Sequence, residues 1–113
     1  MRIDKITRQI DFVPGAVVED DNGVSSFTFE IPADMTDWEW TVAYINADGE
    51  VYETPLTVQE NAITWTLDET VTAAAGRVAY TLKAETEGMT WHSLMYSFPV
   101  YKTIKGDQSN GNL

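Results

Sequence analysis

A chain of 113 residues with 43% hydrophobic and 12% aromatic side chains makes one domain with a genuine core, which excludes a disordered polypeptide. It contains no cysteine, so disulfide scaffolds, thiolate metal sites and cysteine nucleophiles are all excluded and packing must hold the fold. The formal net charge is -11, and between Gln9 and Gly76 the chain carries 14 acidic residues and no basic one, a surface that repels phosphate backbones and anionic lipid. An electropositive protein partner, or simple solubility, remains open.

No apolar run reaches the roughly 20 residues that cross a bilayer. The opening MRIDKITRQ has no apolar signal-peptide core, so export by that route is not expected. The first candidate strand covers residues 5–13, with Ile6, Ile10 and Phe12 at one parity. Arg8 interrupts that face, as at an edge or a strand end, and Pro14-Gly15 breaks it. Ala16-Val17-Val18 adds a short strand before the polar loop Glu19-Asp20-Asp21-Asn22-Gly23. That loop offers oxygen ligands to calcium, but it lacks EF-hand spacing and a terminal bidentate Glu, so a solvated loop is the stronger reading.

Residues 24–31 alternate, with Phe27, Phe29 and Ile31 inward and Ser26, Thr28 and Glu30 outward, and residues 32–37 form a loop. Residues 39–46 place Trp40, Val42 and Tyr44 on one face and Glu39, Thr41 and Ala43 on the other. Asp48-Gly49 then reverses the chain in a hairpin turn. The return strand, residues 51–54, ends at Pro55, and a new start at 56–58 leads through Glu60-Asn61 to Ile63, Trp65 and Leu67, which alternate with Thr64 and Thr66. Period two fails only at residues 68–76. There Asp68 or Thr70 can cap, Ala73-Ala74-Ala75 favours helix and Gly76 suits a stop, so a short helical crossover near residues 69–75 bridges two sheets.

Val78, Tyr80, Leu82 and Ala84 mark the next inward face, and Glu87-Gly88 turns the chain. The last strand, residues 90–101, has Leu94, Tyr96, Phe98 and Val100 on one face and Trp91, Met95 and Tyr101 on the other. Gly, Ser and Asn then dominate, giving a β-sandwich domain over residues 1–102 and a flexible C-terminal tail or linker over 103–113. About seven to nine short, mostly antiparallel strands specify an all-β, immunoglobulin-like β-sandwich, with a barrel as second choice.

Catalytic equipment is thin. His92 is the only histidine, and Thr90-Trp91-His92-Ser93 has no nucleophile elbow around its serine. The surplus of acids follows from net charge and does not define a glycosidase pair. We assign no catalytic, cofactor or metal site and expect no enzyme. Of the four tryptophans, parity places Trp40 and Trp65 in the core. Trp91, Met95 and Tyr101 share the minority face of the last strand and are the candidate partner-binding residues. For Trp91, burial beneath the N-terminal strand or a loop is the open alternative.

Four segments carry a family resemblance: ITRQIDF at residues 6–12, TVAYINADGEVYETPLTV at 41–58, ITWTLDETVTAAAGRVAYTL at 63–82 and EGMTWHSLMYSFPV at 87–100. Together they resemble the N-terminal domain of phage baseplate upper proteins, found in tail structural proteins of phages and prophages of Gram-positive bacteria. The resemblance implies an immunoglobulin-like sandwich without cofactors that anchors a host-recognition component to the tail. Its partners would be other tail or baseplate proteins, homo-oligomers included, with no nucleic acid and no membrane insertion. It implies a virion location after synthesis in the bacterial cytoplasm. The chain stops at Leu113, short of the longer family pattern, so an excised domain or a short relative is expected. A carbohydrate-binding β-sandwich module, motivated by the aromatics, is the alternative.

Overall fold

The computed structural model describes residues 1–104. Among them are nine strands: β1 (Val17–Val18), β2 (Ser26–Glu30), β3 (Glu39–Ile45), β4 (Val51–Leu56), β5 (Val58–Gln59), β6 (Ala62–Thr66), β7 (Gly76–Thr86), β8 (Met89–His92) and β9 (Tyr96–Tyr101). A 3-10 turn at Ala33–Met35 and a single helical turn, α1 (Glu69–Thr72), complete the elements. The strands form an all-β sandwich. A large sheet runs β1-β9-β7-β3-β4, with β8 also on β7, and a small sheet runs β2-β6-β5. Every pairing is antiparallel except β1 on β9. The expected tail from residue 103 lies, from residue 105 on, outside the described residues.

Alternation builds the core as the sequence leads one to expect. Phe27 and Phe29 of β2, with Ile63 and Trp65 of β6, face Val42, Tyr44, Val78, Tyr80, Leu82 and Phe98 of the large sheet. Trp65 is the centre of this packing. Its ring lies 5.2 Å from Tyr44, 5.3 Å from Tyr80, 5.9 Å from Phe98 and 6.0 Å from Phe27. Each such aromatic pair adds about 0.5–1.5 kcal/mol beyond area burial. The crossover also forms where expected, with Asp68 as the N-cap accepting from the Thr70 N–H at 3.0 Å. Gly76 does not stop the helix. It opens β7 at φ 140°, where a Cβ would come within 3.0 Å of the Ala47 Cβ.

The β3–β4 hairpin turns through Asn46 as well as Asp48-Gly49. The buried Asn46 side chain accepts from the Asp48 and Glu50 N–H groups at 3.1 and 2.9 Å, while Gly49 takes φ 84°. The Asn46 N–H donates to Glu50 O at 2.9 Å, so even-numbered residues of β4 bond to β3 and odd-numbered ones face the open edge. Pro55 therefore has its missing N–H on the outside. This is why β4 continues through Pro55 to Leu56 and does not end before it.

Two other expectations need correction. Residues 5–13 are not a strand but part of a folded arm. The Asp4 carboxylate accepts from the Ile6 and Thr7 N–H groups at 2.9 Å each, Arg8 adopts φ 64°, and the Asp4 N–H donates back to Gln9 O at 2.9 Å. The loop tip therefore carries Ile6 out to 89% exposure, and among the described residues the arm's ladder contacts are isolated bridges from Arg2 to Glu30 and from Ile3 to Ile10. Parity cannot register a turn closed by an aspartate side chain. The last strand, in turn, is two strands. β8 and β9 pair with different parts of one edge of β7, because β3 occupies the other, and the alternation is interrupted at residues 93–95.

One polar atom in the core has no partner among the described residues. The Tyr80 hydroxyl is buried and unbonded, and that burial, with Tyr96 beside it, pushes its pKa upward from 10.0. A phenol held neutral in the fold and free to ionise when unfolded leaves stability unchanged below pH 10 and lowers it as pH rises above 10. Replacing Tyr80 by Phe removes a stranded hydroxyl at almost constant shape. Urea denaturation should show Tyr80→Phe more stable than the parent by about 1 kcal/mol, with a shallower loss of stability above pH 10. A destabilised variant would mean that the hydroxyl is bonded in solution.

Candidate docking face

The outward positions of the large sheet follow from register. Val51 of β4, Ile45 of β3 and Ala79 of β7 form one row, and Glu53, Ala43 and Thr81 form the next. Beside these rows, Met95 stands at the break between β8 and β9. Ala43, Ile45, Val51, Ala79, Thr81 and Met95 line a shallow trough of about 190 Å³. Three of its large side chains are open to solvent: Met95 at 68%, Val51 at 69% and Ile45 at 44%. Tyr101, 54% exposed, stands at the end of β9 on the same side of the sheet.

Two of the chain's seven basic residues, Arg77 and Lys83, are on this face with Glu39, Glu53 and Glu85. Lys83 reaches Glu85 at 3.1 Å and Glu53 at 3.6 Å. The hydrogen bond to Glu85, with the charge of Glu53, holds the Lys83 ammonium pKa above its usual value. Arg77 donates to the Ser97 hydroxyl at 3.0 and 3.2 Å. These fixed charges border an apolar strip that nothing in the chain covers among the described residues. Such a strip can bind another apolar surface.

Of the three residues singled out in the sequence, two are on this face and one is not. Met95 and Tyr101 are exposed, whereas Trp91 is 5% exposed. The physical reason is the break at residues 93–95. Trp91 pairs with the inward-facing Ala84, and the irregular segment before β9 changes the parity, so Leu94 turns out to solvent and Phe98 and Val100 turn in. The Trp91 indole packs 5.8 Å from Trp40 and lies under the Arg8 guanidinium, also at 5.8 Å. Its N–H donates to Lys5 O at 2.9 Å. A buried indole covered in this way offers no stacking face to a sugar.

Ile45 and Val51 are not among the sequence-derived candidates, which lie on the last strand alone. The signal was present: both are large apolar residues at outward positions, and they are register partners across β3 and β4. His92 and Ser93 do not act together. Ser93 is buried, its Oγ accepts from the Leu82 N–H at 2.9 Å and donates to Leu94 O at 2.8 Å, and His92 is exposed opposite Lys83. A larger groove of about 720 Å³ crosses the outer side of β6, with hydroxyls from Thr28, Thr57, Thr64 and Thr66 and one ionisable side chain, Glu60. The acidic loop after β1 is tied into the fold. Glu19 accepts from the Ala75 and Thr103 N–H groups at 3.2 and 3.4 Å.

Compared with protein-family models the chain matches none, and no curated protein matches it either.

Two carboxylates bond the loop that covers Trp91. The Lys5 hydrogen bond at 2.7 Å holds the Asp34 carboxyl below its usual 3.8, and the N–H groups of Thr7 and then Ile6 do the same for Asp4. A depressed folded value means that the stabilisation is complete above pH 3.8 and is lost as pH falls through the folded value. In NMR exchange measurements the Trp91 indole N–H should lose protection below pH 3.8 relative to the Trp40 indole, which donates to Met35 O. The Asp4→Asn, Asp34→Asn double variant should show that loss at neutral pH. Equal protection of the two indoles across the titration would refute this.

Proposed function

We propose that the chain is a non-enzymatic structural domain of a phage or prophage tail or baseplate, anchoring a host-recognition component through protein–protein contacts. Two lines support the reading. The sequence resemblance supplies the class, and the exposed strip of Ile45, Val51 and Met95 is the observation that carries the docking role. Complete burial of such side chains contributes up to about 1.5–3 kcal/mol each, which offsets part of the cost of association for an otherwise acidic domain. Lys83 and Arg77 beside the strip offset two of the three outward carboxylates there, Glu39, Glu53 and Glu85.

The partner would be another tail or baseplate protein, and the location the virion. The site would be the outer face of the large sheet, with Met95 and Tyr101 from the sequence reading and Ile45 and Val51 from the fold. The experiment is incorporation into particles of the parent phage or prophage. Tagged protein should copurify with intact tails, and an Ile45→Glu, Met95→Glu double variant should be reduced at least about tenfold in the particle, as expected from losing about 1.4 kcal/mol or more of contact. Because both residues face solvent, the thermal midpoint of the isolated domain should hardly move. Absence of the parent domain from purified particles would overturn the reading. Incorporation of the double variant at parent levels would move docking to another face.

A further inference from the structure

Residues 1–12 touch the rest of the domain as a separate body would. Ile3 and Ile10 are buried, and the Phe12 ring lies 5.1 Å from Phe27 and 5.2 Å from Tyr80, so the arm closes one end of the core. Its polar contacts reach both sheets. The Ile3 N–H donates to Glu30 O at 3.0 Å on the edge of β2, and Arg2 pairs with Glu30 at 3.4 Å. At the break between β8 and β9, Arg8 O accepts from the Leu94 N–H at 2.9 Å, and the Arg8 guanidinium donates to His92 O at 2.9 Å. The Ile10 N–H donates to the Tyr96 hydroxyl at 2.7 Å.

The link between arm and body is different in kind. Residues 13–16 are all exposed and make no hydrogen bond among the described residues, and a Cβ built on Gly15 would meet nothing within 4 Å. Pro14 fixes its own φ and keeps Val13 extended, which restricts the courses the link can take. Charge favours the docking as well. The arm carries Arg2, Lys5 and Arg8 against Asp4 and Asp11, a net +1 on a remainder of -12.

We propose that this arm is exchanged between copies, so that the partner of the arm's docking groove is a second copy of the chain, whose residues 1–12 occupy it reciprocally. Every contact of the arm is the same in the closed and exchanged forms. The balance between them is set by the link and by concentration alone. An exchanged pair keeps every arm contact and gives up translational freedom, so it accumulates only as concentration rises. The inference is independent of the proposed tail role, since it concerns the ends of the sandwich and not the outer face.

The absence of native cysteine allows a direct test. Arg2 and Glu30 are bridge partners, so Arg2→Cys and Glu30→Cys variants, mixed at high concentration and oxidised, form a disulfide-linked heterodimer only where one copy's arm lies on the other's β2. The ion pair lost in these variants is exposed and contributes little. The expected result is a heterodimer band well above that of a collision control, Val24→Cys mixed with Glu30→Cys, Val24 being exposed away from the arm. A second variant lacking residues 13–15 shortens the link to Ala16 alone, which disfavours the closed form, and should run at about twice the monomer mass by light scattering. A heterodimer at or below the control level overturns the proposal, whether or not the shortened variant folds.

Discussion

The Ser93 hydroxyl, bonded to the Leu82 N–H and to Leu94 O, holds together the point on which most of this structure turns. β7 is long enough for two partners on one edge, and β8 and β9 take successive parts of it. Between them the ladder fails, and buried backbone groups would be stranded without a substitute. Ser93 supplies that substitute for Leu82, and the arm supplies it for Leu94 through Arg8 O. The break therefore costs little, and it sets the parity of everything after it. Trp91 before it faces inward with Ala84, and after it Met95 faces outward while Phe98 and Val100 enter the core.

A second constraint is the distribution of charge. Three of the seven basic residues belong to the arm, where Arg2 and Lys5 meet Glu30 and Asp34 on the acidic body. Exposed pairs of this type contribute at most about 1 kcal/mol each. What they decide is placement more than stability, because Lys5 and Arg8 end up over Trp38 and Trp91 while Ile3, Ile10 and Phe12 provide the apolar burial. The arm is consequently both a plug for the core and the cover of the tryptophan that would otherwise lie open.

The outer face of the large sheet remains apolar for a different reason. It has no arm and no second sheet over it among the described residues, yet Ile45, Val51 and Met95 stand together there. A domain that has already buried its aromatics around Trp65 does not need these three for its core. Their exposure is what the proposed docking role rests on, and the ladder of β4, β3 and β7 sets them side by side.

Local alternation by itself determined the all-β class, the inward faces of β2, β3, β6 and β7, the Asp48-Gly49 reversal and the crossover at Glu69–Thr72, because each depends on neighbours within a few residues. Only the tertiary structure decided the rest. Whether residues 5–13 form a strand depended on the Asp4 carboxylate and on Arg8 finding His92 and Leu94 far along the chain. Whether Pro55 ends β4 depended on which edge faced β3. Whether Trp91 is open depended on a one-segment break in a strand, and with side chains alternating at period two such a break reverses every face that follows it.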